Sequence, residues 1–179
     1  MSKKRGSYQK QWLAHLGKER IDEVFDPSKG IDKMVDYYLK KGYTLEWIET
    51  RIKSIINRKK LTSTWKESGI DKESEYAMLT NEIYKAWSGM TAQDYKTFKR
   101  IRKESLRDNM TDIEVALADL GEIATRELAK KFKPLGLEKN IKVAKIGGHT
   151  AKVARDELEK NLCENIVSNK NLIDYKKEE

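Results

Sequence analysis

The sequence has few residues that break helices. Only 2 prolines and 10 glycines occur in 179 residues, whereas an all-β sandwich needs a turn about every ten residues. A β-sandwich is therefore disfavoured, and the abundance of Lys, Glu, Leu, Ile and Ala is typical of long amphipathic helices. The length favours one domain and excludes a fold as large as the eight-stranded α/β barrel.

Cysteine and histidine are also scarce. Cys163 is the only cysteine, so an intramolecular disulfide and zinc sites with two or four thiolates are excluded. Neither of the two histidines, His15 and His149, has a cysteine or a second histidine near it in sequence. We therefore expect no metal, no cofactor and no catalytic residue, and a reducing, cytoplasmic location.

Long apolar runs are absent. Hydrophobic residues make up 38% of the chain and charged residues 37%, and no run approaches the roughly eighteen apolar residues of a membrane span. The basic start at Lys3, Lys4 and Arg5 is followed by polar residues, unlike a signal peptide. We expect a soluble protein with no membrane partner.

Phosphate-binding loops and the nucleophile elbow are missing as well. The nearest feature is Gly147-Gly148, where glycines before a helix would let backbone N–H groups approach a phosphate. A loop or hinge is the favoured interpretation of this pair. An enzyme that acts on a phosphorylated substrate at this turn is the least favoured of three functional hypotheses.

The apolar residues recur at helical spacing along most of the chain. This periodicity and the capping signals predict an all-α bundle of six to eight helices with at most one short strand, at Ile166-Val167. The signals that set helix ends are Asp26-Pro27 after a helix over 10–25, Gly42, Thr44, Ser68-Gly69, Asp71, Ser88-Gly89, and capping boxes at Thr91/Asp94 and Thr111/Glu114.

The helix after Thr111 has a broad apolar stripe and is predicted to be the central core helix. Its predicted core residues are Leu117, Leu120, Ile123, Ala124 and Leu128. The predicted organisation is a basic arm over 1–10, a helical domain over 11–168 and a polar tail over 169–179.

The net charge of +8 is concentrated in the first third of the chain. Residues 1–66 contain 16 basic and 8 acidic side chains, and such an excess favours an anionic partner. Three basic clusters follow. They are a stripe on a helix over 95–107 (Lys96, Lys99, Arg100, Lys103 and Arg107), the group Arg51, Lys53, Arg58, Lys59 and Lys60, and the arm at Lys3, Lys4 and Arg5.

The stripe has two interpretations that the sequence leaves open. Cations three or four residues apart on a helix form a surface that binds phosphates, because displaced counterions favour the complex. Alternatively, the stripe is a solvated helix face balanced by neighbouring acids such as Asp94 and Asp108. The candidate site for nucleic acid or an acidic partner therefore comprises the stripe with Arg58, Lys59 and Lys60.

Several segments, in order and spacing, resemble the BRO family of phage antirepressors, often grouped with DNA-damage-inducible protein D. The resemblance runs from about Trp12 to about Ser168. Its segments are Trp12–Arg20, Tyr37–Gly42, Glu46–Ile55, Leu61–Trp65, Glu75–Ile83, Leu106–Asp112, Gly147-Gly148, Ala154-Arg155, Leu158-Glu159 and Val167-Ser168.

In this family the matched region follows an N-terminal BRO domain that is thought to bind DNA, and the DNA-reading residues have no counterpart in this sequence. The resemblance implies a noncatalytic phage or prophage regulator that binds a repressor or another host protein. The alternative is a nucleic-acid-binding accessory protein in a DNA-damage or phage response. Pairing with a second copy of the chain is open in either case.

Overall fold

The computed structural model of the chain describes the backbone of residues 2–172 and the side chains of residues 7–172. This part contains seven α-helices and one 3-10 turn, and none of its residues forms a strand. The predicted all-α fold of six to eight helices is therefore confirmed. The helices are α1 (Ser2–Phe25), α2 (Ser28–Lys40), α3 (Leu45–Glu67), α4 (Glu73–Ser88), α5 (Ala92–Phe98), α6 (Asp112–Phe132) and α7 (Leu137–Leu162), and the 3-10 turn (Arg107–Asn109) precedes α6.

The chain divides after Ile48 into two compact units, here named the hairpin unit and the core unit. The domain predicted over 11–168 includes parts of both. Helix α1 begins at Ser2, so the segment predicted as an arm is helical in its backbone. The side chains of Lys3, Lys4 and Arg5, and residues 173–179 of the predicted tail, lie outside the described residues.

Most helix ends lie where the capping signals place them. The hydroxyls of Thr91 and Thr111 accept from the backbone N–H groups of Asp94 and Glu114, which confirms both capping boxes. Gly42 has φ +91°, a left-handed conformation that suits glycine. The fourth helix differs by one position, because Lys72 and not Asp71 occupies its N-cap.

The core unit is built on the mutual packing of α4, α6 and α7. Trp65 and Trp87 are fully buried, and residues from α3 to α7 complete the apolar cluster. Burial of large side chains of this kind contributes roughly 1.5–3 kcal/mol each. The other fully buried members include Leu61, Leu79, Ile83, Tyr95 and Met110.

Gly147 and Gly148 lie inside α7 and are buried, so the predicted loop or hinge at this pair is wrong. A Cβ atom on Gly147 would lie 2.6 Å from the backbone N of Thr125 in α6. One on Gly148 would lie 2.6 Å from the backbone O of Ile83 in α4. The two glycines therefore let three helices approach closely, which also removes the basis for a phosphate site there.

The buried stripe of α6 is rotated from the predicted one. Of the five predicted residues only Leu117 is fully buried, while Leu120, Ile123, Ala124 and Leu128 are half-buried. Besides Leu117, the buried positions of α6 are occupied by Val115 and by small and acidic side chains. The small and acidic residues are Ala118, Gly121, Thr125 and Ala129, together with Glu114 and Glu122.

The segment after α7 is irregular, and Ile166-Val167 does not form the short strand that the sequence allowed. Ile166 is buried in the apolar cluster, and its N–H donates to Glu159 at 3.0 Å. The Glu159 carboxylate thus accepts the backbone N–H hydrogen bond that a neighbouring strand would otherwise accept. In the described part of the chain, no helix is both long and apolar enough to cross a membrane.

Candidate functional site

A buried ion-pair cluster lies between α3, α4 and α6, and Arg107 is its centre. The guanidinium contacts Asp119 at 2.9 Å and Glu122 at 2.6 Å, and it also donates to Ser54 and to the Tyr84 hydroxyl. Burial lowers the pKa of Arg107, but Tyr84 and the two carboxylates outweigh this effect and raise it. Arg107 therefore stays charged in the interior.

Arg58 extends this cluster to the surface. Its Nη1 lies 3.0 Å from Oε1 of Glu122, its Nη2 donates to Thr80, and its guanidinium lies 5.4 Å from the centre of the Trp65 ring. Glu122 itself is only 2% exposed. Two guanidinium groups thus share one buried carboxylate oxygen, a charge-assisted arrangement that fixes both side chains.

A second buried pair joins α5 to α6. Lys99 Nζ lies 2.9 Å from Glu114 Oε2, and both side chains are fully buried. Glu114 also accepts from the Tyr95 hydroxyl at 2.5 Å and from the N–H of Ser168. Burial lowers the pKa of Lys99, although the neighbouring Glu114 acts in the opposite direction. Lys99 Nζ donates to the carbonyl of Lys170, so the pair also holds the C-terminal segment.

The predicted basic stripe over 95–107 does not exist as a continuous helical surface. Helix α5 ends at Phe98, and Arg100 has φ +58°, a left-handed conformation that stops the helix. Lys99 and Arg107 point into the core because they neutralise buried carboxylates. Arg100 and Lys103 are exposed on the following loop, and Lys96 is half-exposed.

The second predicted cluster is divided as well. Arg51 pairs with Asp108 at 2.7 Å and Lys53 with Glu49 at 2.6 Å, and Arg58 is bound to Glu122. Lys59 and Lys60 are exposed. The structure brings Arg107 to the same cavity as Arg58 and Lys59, although the sequence placed Arg107 in a different cluster.

In the hairpin unit, charged side chains lie at the contact between the two helices. Its two helices meet through ion pairs: Lys33 of α2 lies 2.9 Å from Glu19 and 3.5 Å from Glu23 of α1. The hydrogen bond from Lys33 lowers the pKa of Glu19, and the same bond raises the pKa of Lys33. No residue of α2 is buried. The contact between these helices is therefore mainly polar.

The apolar side chains of α1, in contrast, face solvent. Trp12 is 62% exposed and Phe25 is 85% exposed. We name seven exposed residues the apolar surface of α1: Tyr8, Trp12, Leu13, Leu16, Ile21, Val24 and Phe25. Helices normally bury such residues and expose their charges, so this surface is the strongest candidate for an interaction site in the hairpin unit.

The spacing of Trp12, Leu13, Leu16, Arg20, Ile21 and Val24 predicted a helix over 10–25, but sequence reasoning did not identify these residues as an interaction surface. The available signal was the width of the pattern. Counted at about 100° per residue, the apolar surface of α1 covers roughly 260° of the circumference. A helix that packs on one side needs a narrower stripe.

His15 and Cys163, which are of the two residue types that are scarce in the sequence, do not lie in a common site among the described residues. His15 is exposed and lies 3.5 Å from Glu19, and Cys163 is exposed after α7. Among the side chains that the structure describes, no group of three or more His, Cys, Asp or Glu is placed to hold a metal ion. Comparisons of the chain with family models, with curated proteins and with solved structures find no match.

Proposed function

We propose that the protein is a noncatalytic regulator that acts by binding another protein through the apolar surface of α1. The observation that carries this proposal is the exposure of seven large apolar side chains on α1, a helix that contacts α2 through the ion pairs of Glu19 and Glu23 with Lys33. Exposed apolar patches of this size mark interaction sites. With roughly 100 Å² for each side chain, the surface approaches the ~800 Å² that each partner contributes to a stable interface.

The shape of the surface favours a groove as its occupant. Two helices that pair as a coiled coil bury a narrow seam on each, whereas the apolar surface of α1 extends around more than half of the helix. A groove that surrounds a helix buries such a surface more completely. A second copy of α1 would leave much of it in water.

The charge of α1 indicates the chemistry of that groove. Residues 1–18 contain five basic side chains and no acidic one, and two of the three acids that follow in α1, Glu19 and Glu23, are engaged with Lys33. A second copy would bring like charges together in parallel register. In antiparallel register its five basic side chains would meet Glu19 and Glu23, which are already paired, with Asp22 as the one remaining acid of the helix. We therefore expect a partner with an apolar groove rimmed by acidic residues.

The regulatory part of the proposal is supported by the resemblance to the BRO family of phage antirepressors. The partner that this resemblance suggests is a repressor or another host protein, with the chain acting as a phage or prophage antirepressor. The resemblance includes Trp12–Arg20, which lies within α1.

The test is capture of partners from a bacterial lysate on the full chain, identification by mass spectrometry, and calorimetry with the purified partner. The variant Trp12→Ser/Leu13→Ser should weaken binding at least about thirtyfold, because buried anchors of this kind contribute 2 kcal/mol or more. The matched control Gln11→Ser/His15→Ser changes exposed, uncharged polar residues of the same helix and should bind like the unaltered chain.

Two results would overturn the proposal. One is a partner whose affinity is the same for the serine variant and for the unaltered chain. The other is self-association of the unaltered chain, seen by light scattering, that the Trp12→Ser/Leu13→Ser variant abolishes, since the surface would then be covered by a second copy.

Nucleic-acid binding is the second candidate function. The observation that favours it is the exposed loop after α5, where Arg100, Arg102 and Lys103 all lie in solvent. Phosphate contacts give affinity that falls steeply with salt. Reversing Arg102 and Lys103 to Glu should weaken DNA binding for all sequences and flatten its salt dependence, whereas an unchanged salt slope would exclude this loop.

A further inference from the structure

A cavity of about 430 Å³ opens beside the buried ion-pair cluster of the core unit. Its walls come from α3 and α4, from Leu106 and Arg107 before α6, and from Glu122 of α6. The volume lies within the range of small-molecule binding sites. Every lining residue belongs to the core unit, whereas the apolar surface of α1 belongs to the hairpin unit, so the inference below does not depend on the proposed partner protein.

The lining combines a cationic set with an apolar wall. Four cations line the cavity, against a single acid, Glu122. The cations are Arg51, Arg58, Lys59 and Arg107, and the apolar wall includes Ile55, Tyr84, Ala92 and Leu106. Such a lining suits a ligand with an anionic head group and an apolar or aromatic body.

The cations differ in how far they are already satisfied. Arg107 uses Nε, Nη1 and Nη2 in bonds to core side chains, so it supplies fixed charge at the base. Arg58 uses its two Nη groups once each, so further N–H groups of its partly exposed guanidinium have no acceptor among the described residues. Lys59 is exposed at the rim and makes no ion pair with any described residue. Arg58 and Lys59 are therefore the donors available to a ligand.

The one acid of the lining is already neutralised. Oε1 of Glu122 accepts from both Arg58 and Arg107, and the residue is only 2% exposed. Its Oε2 is enclosed by protein atoms and does not face the open cavity. Glu122 therefore fixes the two guanidinium groups and does not itself contact a ligand.

We propose that this cavity binds a small organic phosphate of nucleotide size. Arg58 and Lys59 hold its phosphate, and the apolar wall takes its base or other planar body. The phosphate is preferred over a single carboxylate because a charge near −2 gains more from the clustered cations. The terminal phosphate of a nucleic acid shares this head group, so the test separates the two sources.

The probes are adenosine monophosphate, adenosine, inorganic phosphate and a 5′-phosphorylated single-stranded oligonucleotide, each titrated into the full chain by calorimetry. Adenosine monophosphate should bind, and adenosine should bind at least about tenfold more weakly, as expected for loss of a charge-assisted contact. The variant Lys59→Gln should also lose about tenfold in affinity. Lys60→Gln removes the adjacent exposed cation, which does not line the cavity, and should bind as the unaltered chain does.

Three results would overturn the proposal. They are no heat of binding with adenosine monophosphate at millimolar concentration, equal losses in the Lys59 and Lys60 variants, and binding of the oligonucleotide without binding of the mononucleotide. Lys59 is exposed, so its variant should fold normally. If both variants unfold at the same temperature as the unaltered chain, a loss of affinity is due to the changed cavity and not to unfolding.

Discussion

At the scale of single residues, the packing of the core unit requires glycine at positions where two helices come too close for a Cβ atom. Gly147 lets α7 approach α6 so closely that a Cβ would lie 2.7 Å from the Cα of Thr125. Gly147→Ala should therefore destabilise the protein by about 1–3 kcal/mol through overpacking. Urea denaturation measures this change.

The matched control is Gly17→Ala. Gly17 also lies inside a helix, but a Cβ there would meet nothing within 4 Å. Because alanine favours helix more than glycine does, this change should leave stability unaltered or raise it by up to about 1 kcal/mol. Equal effects of the two substitutions would contradict the close packing of α6 and α7.

Arg107 is the second critical residue. Arg107→Met would leave Glu122 and Asp119 without their shared cation in the interior, and loss of one partner from a buried pair costs about 3–5 kcal/mol. Lys103→Met removes an exposed cation four residues earlier and should change stability by less than about 0.5 kcal/mol. Similar denaturation midpoints for the two variants would show that Arg107 does not neutralise the core.

At the scale of secondary-structure elements, α5 and the C-terminal segment are held together through Lys99. Its Nζ pairs with Glu114 and donates to the Lys170 carbonyl, while the side chain of Asn171 donates to the Lys99 carbonyl. Lys99→Met should therefore speed amide hydrogen exchange in residues 166–171 and cost about 3–5 kcal/mol. Lys96→Met changes a half-exposed cation within α5. This control should leave both the hydrogen exchange of residues 166–171 and the stability unchanged.

Adding Glu114→Leu to Lys99→Met should recover part of this loss, because the second change removes the unpaired carboxylate. The recovery should be incomplete, since Tyr95 and the N–H of Ser168 would lose their acceptor. A double variant that is no more stable than Lys99→Met would contradict a role for the charge of Glu114.

The element scale also shows what the sequence could and could not predict. Helix ends at Gly42, Thr91 and Thr111 follow from local chemistry, since caps depend on a few neighbouring residues. The end of α5 does not, because Lys99 is drawn inward by Glu114, fifteen residues later in the chain. Spacing alone showed basic residues at helical intervals and had no information on which of them meet buried acids.

The same limit applies to the glycine pair. Gly147-Gly148 is typical of a loop by propensity, but close approach of α4 and α6 makes small residues necessary inside α7. Tertiary packing overrides propensity in this case. The candidate cavity was predictable only in part. Its four cations, Arg51, Arg58, Lys59 and Arg107, had been grouped into clusters for their charge, whereas Glu122 enters only through the packing of α6.

At the scale of the whole molecule, the two units differ in whether their large apolar side chains are buried. The core unit buries apolar residues around Trp65 and Trp87 and neutralises its interior carboxylates. The hairpin unit joins its helices by ion pairs and leaves the apolar surface of α1 in water. The hairpin unit, unlike the core unit, therefore offers the exposed apolar side chains that the proposed partner would bury.

The most direct test of this account is photo-crosslinking in bacterial cells with a photoreactive phenylalanine analogue at one of two exposed positions. Phe25 belongs to the apolar surface of α1 and is 85% exposed, and Phe132, at the end of α6, is 62% exposed. We predict that the analogue at Phe25 forms one discrete adduct with a different protein, while the analogue at Phe132 forms none. Adducts only from Phe132, or a Phe25 adduct of about twice the 20.8 kDa mass of the chain, would contradict the account.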